Sequence, residues 1–381
     1  MTIQQLSLNG FRSIRNVQLT LGRVNVISGP NGCGKSNLYK AVRLIHEAAC
    51  GRLSSALAEE GGIQNAMWAG GARLGDKRGD PKRMILSATL EDFDYEIQLG
   101  FPPPDYEIQL GFPPPDNDEK DPSLFTLDPL VKRESLWLSG HGRRNSMRLL
   151  ERVNQTAFLT NVQGERAAYP AVLYAEESVF GQLSDPHLYP ELSQAREILR
   201  QWRFYHEFAV WPGSPLRVPQ IGIRAPVLAH DGSNLASAFR TIHEVGNRAL
   251  LYETLAQAFP DSTFKVQAPQ GRFQLVMHRE GILRPLEAAE LSDGTLRFLC
   301  LAVAMLSPRP PAFMALNEPE NSLHPDLLPA LAQLIAEASR YSQLWVTSHS
   351  PLLAGLIAEH CIVTHYQLSQ QQGETVVEQQ A

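Results

Sequence analysis

Cysteine is scarce, with four in 381 residues, at positions 33, 50, 300 and 361. They stand far apart and form no C-x-x-C pair, which excludes a zinc ribbon, a thioredoxin-type redox pair and a disulfide framework. Reduced thiols are expected, with Cys33 exposed and open to alkylation. No apolar run approaches the length of a bilayer span, so no membrane partner is expected. The opening MTIQQLSLNGFRSIRN has no basic segment followed by an apolar stretch, which argues against a secretory leader and for a cytoplasmic location. Positive charge is in deficit: the formal net charge is −6, so any nucleic-acid surface must be local rather than global. The composition, 43% hydrophobic and 19% charged, is that of a globular protein able to bury a core.

The stretch VNVISGPNGCGKSN is the strongest feature present. Residues 24–28 alternate as a short buried strand, and KSNLYKAVRLIHEAA repeats apolar residues at helical spacing. Between them lies a glycine-rich loop of the form G-x-x-x-x-G-K-S, in the strand-loop-helix context that a phosphate-binding P-loop requires. Glycine lets successive backbone N–H groups turn toward phosphate oxygens at the helix N-terminus. Gly29, Pro30, Asn31, Gly32, Cys33, Gly34, Lys35, Ser36 and Asn37 are therefore the expected nucleotide cradle. Lys35 is expected to reach the β- and γ-phosphates, and Ser36 to ligate Mg²⁺.

Two short strands, 3–8 and 17–21, precede this motif around Gly10, Phe11, Arg12 and Ser13, and we expect them in the sheet that delivers the loop. Alternating runs between 84 and 162 predict an antiparallel β lobe. Within it DYEIQLGFPPP occurs twice in succession, at 94–104 and 105–115. Two copies of eleven residues are too few for a solenoid, and an odd shift inverts the in-out alternation of a strand. One copy is expected to hold the strand and the other to lengthen a Pro-rich loop. Helical patterns and a Pro/Gly-rich segment mark 171–262 as a helical insertion or lid, dividing an N-terminal half, 1–170, from a C-terminal half, 263–381. The aromatics Trp202, Phe204, Tyr205, Phe208 and Trp211 offer a base-stacking platform, with core packing the favoured reading.

Three further motifs follow in the C-terminal half. LSDGTLRFLCL places Ser292, Asp293 and Gly294 at a turn into a helix. An apolar strand then ends in Asn317, Glu318, Pro319 and Glu320, and another ends in Ser348, His349 and Ser350. A carboxylate closing a buried strand beside a P-loop is placed to hold Mg²⁺ through water or to orient the attacking water.

In this order the motifs resemble the ABC-type P-loop ATPase head. FRSIRN and EPENSLHP make the chain similar to the RecF and SMC side of that superfamily, and closest to stand-alone bacterial RecF-like ATPases. The resemblance implies an α/β fold with a mixed core sheet, an antiparallel β lobe and a helical insertion. By motif it makes 29–36 the Walker A loop and Ser292, Asp293 and Gly294 the signature loop. Asn317 and Glu318 occupy Walker B, Ser322, Leu323 and His324 the loop after it, and His349 the switch histidine, with Gln64 as the Q-loop glutamine near the metal. It further implies ATP and Mg²⁺ as ligands and a homodimer in which the signature loop of each copy closes on ATP held by the other. Glu318 would be the general base, and His349 would contact the γ-phosphate. Asparagine stands at 317 where the superfamily usually has aspartate, so Mg²⁺ binding should weaken and hydrolysis be slow. Double-stranded DNA is the expected partner, through a basic group comprising Arg73, Lys77, Arg78, Lys82, Arg83, Lys132, Arg133, Arg143, Arg144, Arg148 and Arg152. The alternatives are a non-hydrolysing ATP-gated switch that controls a separate effector protein in phage defence, and the ATPase subunit of a transporter. The sequence offers no nuclease cluster of its own.

Overall fold

The computed structural model describes residues 2–70, 83–101, 128–140 and 142–380. Among these residues the strands form three sheets. The core sheet runs in the order Arg203–Tyr205, Phe313–Asn317, Gln343–Ser348, Val24–Ser28, Val363–Gln371, Glu374–Gln380. Its first five strands are parallel and the last is antiparallel.

A parallel strand buried on both faces has no polar side, and Val24–Ser28, Phe313–Asn317 and Gln343–Ser348 are buried along almost their whole length and largely apolar. Phe313 and Ala315 enter one hydrophobic core while Met314 and Leu316 enter the other. This is the period of two expected of a strand sandwiched between layers. The sheet is thus the partition between two cores, and the C-terminal ends of its five parallel strands open at one edge. The P-loop strand Val24–Ser28 lies between Gln343–Ser348 and Val363–Gln371, so the N-terminal motif is built into a sheet of C-terminal strands.

The second sheet is antiparallel throughout and begins with Ile14–Thr20, Ile3–Phe11, Met84–Leu90, Phe93–Gly100 and Leu130–Leu138. It confirms the β lobe but corrects the place of the first hairpin, which pairs in this lobe and not in the P-loop sheet. The apolar residues of Ile3–Phe11 alternate, and alternation suits a strand packed on one face. The first copy of the eleven-residue duplication supplies most of Phe93–Gly100. The second copy lies outside the described residues.

The region 171–262 contains the helices Pro190–Arg200, Leu235–Val245 and Arg248–Ala258. Between them the chain returns to the core sheet, because Arg203–Tyr205 pairs in parallel with Met314–Leu316 at its edge. Trp202, Phe204, Tyr205 and Phe208 are buried accordingly, and only Trp211 of that aromatic group is exposed. The third sheet joins Ser262–Gln267, Arg272–Arg279 and two short strands.

Candidate active site

The P-loop leaves the core sheet at Ser28 and enters the helix Lys35–Ala49. Gly34 precedes that helix with φ +107°, a conformation closed to a side chain, and a Cβ there would lie 2.1 Å from Thr375 Oγ1. Thr375 belongs to the C-terminal strand Glu374–Gln380 and reaches the loop directly. The bonds form one directed chain: Asn37 Nδ2 donates to Ser13 Oγ (2.8 Å), Ser13 pairs with Thr375 Oγ1 (2.7 Å), and Thr375 donates to the Cys33 carbonyl (3.0 Å). Ser13 and Thr375 therefore clamp the back of the loop from opposite ends of the chain. The same packing turns Cys33 inward, 2% exposed, which corrects the expectation of an exposed thiol.

Lys35 lies across the loop, its ammonium donating to the carbonyls of Gly29 (2.6 Å) and Pro30 (3.1 Å). Asn31, Gly32 and Ser36 are exposed. A cleft of about 820 Å³ opens beside Gly29, Pro30, Asn31 and His349, within the size range of small-molecule sites.

Neighbouring strand ends bring the C-terminal motifs to this loop. Asn317 is buried and accepts a hydrogen bond from Thr347 Oγ1 (2.7 Å). The Glu318 N–H donates to the Thr347 carbonyl (2.8 Å), which locks the two strand ends together. Glu318 has φ +47°, uncommon for a residue with a Cβ and a form of strain found at functional sites. Its Oε2 accepts from Asn321 Nδ2 (2.7 Å). His349 Nδ1 lies 4.0 Å from Glu318 Oε1 and 3.5 Å from Glu320 Oε1. Glu320 is buried and accepts from Ser348 Oγ (2.6 Å) and from the His349 N–H (3.0 Å). The second carboxylate of the E-P-E doublet thus fixes the histidine backbone, while the first is held by Asn321.

The signature turn caps its own helix, Asp293–Met305: Ser292 Oγ accepts from the Thr295 N–H (3.2 Å). Gly294 packs on the loop after Glu318, where a Cβ would approach the Ser322 carbonyl to 2.6 Å. Leu323 is half-buried and His324 is exposed, its ring accepting from the Asp326 N–H (3.4 Å). Gln64 is exposed on the short helix Gly62–Ala66, whose end holds Arg12 through the Ala66 carbonyl. His206, in contrast, follows the edge strand one residue beyond the Tyr205 and Leu316 pair, in line with Asn317. Burial pushes its imidazole below the ordinary value, and the Glu318 charge acts on it in the opposite sense. Sequence reading missed His206 and Thr375, and named Ser13 and Glu320 within their motifs without seeing that they clamp the loop and hold His349.

The donor set suits Mg²⁺, since Ser36, Asn317 and Glu318 offer hard oxygens and the phosphates of a nucleotide would complete the shell. Asn317 supplies its acceptor without the charge of a carboxylate.

The basic group of the β lobe is only partly neutralised where it is described, because Glu151 alone is shared by Arg133, Arg148 and Arg166. Arg133 pairs with Glu151 (2.8 Å), Arg148 with Glu151 and Arg143 with Glu96. Arg152 is fully buried, donating to the Tyr174 carbonyl (2.6 Å) with its guanidinium 3.8 Å from Glu134. That removes Arg152 from any phosphate-binding face, because the lobe's alternation points it inward. Burial and the neighbouring Arg83 push the Lys132 ammonium below its ordinary value. Arg144 is exposed, and Arg73, Lys77, Arg78 and Lys82 lie outside the described residues.

Residues 24–355 match the family model described as "AAA domain, putative AbiEii toxin, Type IV TA system". Among solved structures, the chain is similar to an SMC head bound to the C-terminal winged-helix domain of ScpA, at 14% identity and TM-score 0.56, covering 100% of this chain and 98% of that one. An SMC head with an extended coiled coil, bound to the C-terminal domain of ScpA and derived from Pyrococcus furiosus, matches at 13% identity and TM-score 0.53 over 100% and 96% of the chains. The head with coiled coil and joint from Pyrococcus yayanosii matches at 11% and 0.52, over 100% and 97%. No curated protein matches the sequence. At these identities the structures establish the fold, an SMC-like, ABC-type P-loop ATPase head. With the family model spanning most of its length, the chain belongs to the AAA-domain family that carries the AbiEii, type IV toxin-antitoxin description.

Proposed function

We propose that the protein binds ATP with Mg²⁺ and hydrolyses it slowly, in sites completed when two copies of the chain close on each other. The convergence of Lys35, Glu318 and His349 at adjacent strand ends carries this reading. Lys35 and the loop N–H groups hold the phosphates. Ser36 and Asn317 hold the metal, which supplies charge neutralisation for the departing phosphate. Glu318 accepts a proton from the attacking water, a role consistent with its strained backbone and its position beside His349. His349, steadied by Glu320, donates toward the transferred phosphate. Each chain has one P-loop and one signature turn, and an isologous C2 pair brings the two together reciprocally.

The output of the cycle is control of a separate effector. The family description favours this over duplex DNA. DNA remains the competing partner on the strength of the SMC-like fold. ATP turnover and ATP-dependent dimerisation, each with and without double-stranded DNA, test both readings. The proposal expects turnover in the wild type, its loss in Lys35→Ala and Glu318→Gln, and no acceleration by DNA. Several-fold DNA stimulation would assign DNA as the partner. ATP binding with dimerisation but no turnover would leave a switch without hydrolysis.

A further inference from the structure

Arg217 lies in the Pro/Gly-rich segment of the insertion, in the single turn Pro215–Arg217. Its side chain is buried, 8% exposed, and every part of the guanidinium is engaged. Nε donates to the Val210 carbonyl (2.6 Å). Nη1 donates to the carbonyls of Ala288 (3.1 Å), Ala289 (3.1 Å) and Leu291 (2.8 Å). Nη2 pairs with the Asp293 carboxylate. The acceptors of Nη1 and Nη2 are the backbone entering the signature turn and the first residue of its helix. One planar fork therefore fixes both sides of Ser292 from a segment more than seventy positions away.

The arrangement exceeds what stabilising a helix end requires. Ser292 already caps the helix through the Thr295 N–H, and Glu287 and Glu290 already form a reciprocal cap on the preceding turn. Arg217 adds control over the turn's shape and over its link to the insertion. The carbonyls sit on separate residues and the carboxylate on a third side, so a rigid guanidinium with five donors meets them where an ammonium cannot. On its other flank the turn rests on the Ser322 carbonyl of the loop after Glu318. Arg217 and Ser322 together grip the signature turn between the insertion and the strand end that bears Glu318.

We propose that Arg217 is a positioning residue that holds the signature turn in the shape required to close on ATP bound by the other copy, so that it acts across the dimer rather than on its own P-loop. The assignment rests on the shared-site reading above. It makes the insertion a lever on the partner's nucleotide: a displacement of the 210–217 segment would withdraw the turn without touching the local phosphate loop.

Complementation between variants tests this. Arg217→Met removes the donors and keeps the stem, and Arg217→Lys keeps a charge. Each is mixed with Lys35→Ala, with the two copies carrying different fluorophores, and ATP-dependent association is followed by energy transfer with turnover alongside. Ser292→Arg mixed with Lys35→Ala is the control. A mixed pair places both lesions in one shared site and leaves the other intact. The expected result is that neither parent associates alone, that the mixture does, and that up to about a quarter of wild-type turnover returns, as random pairing of an isologous dimer allows. Arg217→Met alone should still bind a fluorescent ATP analogue with wild-type affinity. Rescue of Ser292→Arg but not of either Arg217 variant would overturn the proposal and make the arginine local scaffolding. Failure of the control as well would overturn the shared-site reading itself. Should Arg217→Met melt out at low temperature, Arg217→Lys carries the same comparison.

Discussion

At Asn317 a single atom separates this site from the usual Walker B. Thr347 donates to the asparagine Oδ1 and would donate equally to a carboxylate, so Asn317→Asp should fold unchanged while adding charge beside the metal. We expect Mg²⁺ to act at roughly tenfold lower concentration, about 1.4 kcal/mol, read from the Mg²⁺ dependence of nucleotide binding. Glu318→Gln removes the proposed proton acceptor alone, and on that reading turnover should fall at least ~100-fold with ATP still bound. His46 gives a residue-scale prediction of another kind. It is buried on the P-loop helix, its Nδ1–H donates to the Leu199 carbonyl (2.9 Å), and burial pushes its pKa from 6.5 to about 4. The unfolded chain therefore takes up this proton at a higher pH than the folded one. Stability should be full above pH 6.5 and fall by up to about 3 kcal/mol as pH drops toward 4. His46→Asn keeps a donor for Leu199 without a titrating ring and should flatten that slope in denaturant titrations. The P-loop, Glu318 and His349 were legible in the sequence because each is a local pattern set by one strand end. Arg217 and His206 were not, because what defines them is a contact made by folding and no short motif records it.

Among the elements, the P-loop is held less by its own glycines than by the clamp from the N-terminal hairpin and the C-terminal strand. Thr375→Val keeps the volume of a buried side chain and removes its bonds to Cys33 and Ser13. It should cost ~1–3 kcal/mol by leaving a carbonyl and a hydroxyl without their partner, read from thermal or denaturant melts, and should weaken ATP binding in step. The first hairpin shows where reading by element failed. Its period-2 pattern announced a strand packed on one face, yet proximity to the P-loop in sequence suggested the same sheet. Alternation was the better guide, and it placed the hairpin in the β lobe. The edge strand Arg203–Tyr205 escaped notice because three residues carry too little periodicity to stand out between helices.

At the scale of the whole molecule, the proposed site is completed by a second copy. Glu318→Gln should therefore convert the protein to a stable dimer on addition of ATP and Mg²⁺ and leave it monomeric without them, as light scattering would show. The core sheet has one further consequence. Val24 pairs with Leu344 on one side and Val363 on the other, so the phosphate loop acquires its neighbours only after residues 343–371 have been made. Closing a loop of that length costs about 5 kcal/mol of chain entropy, repaid when the late strands arrive. A ribosome-bound or prematurely terminated product carries the motif without the fold that shapes it. Nucleotide competence therefore reports that the chain through residue 371 has been made and folded, and a copy lacking those strands would carry an unshaped loop.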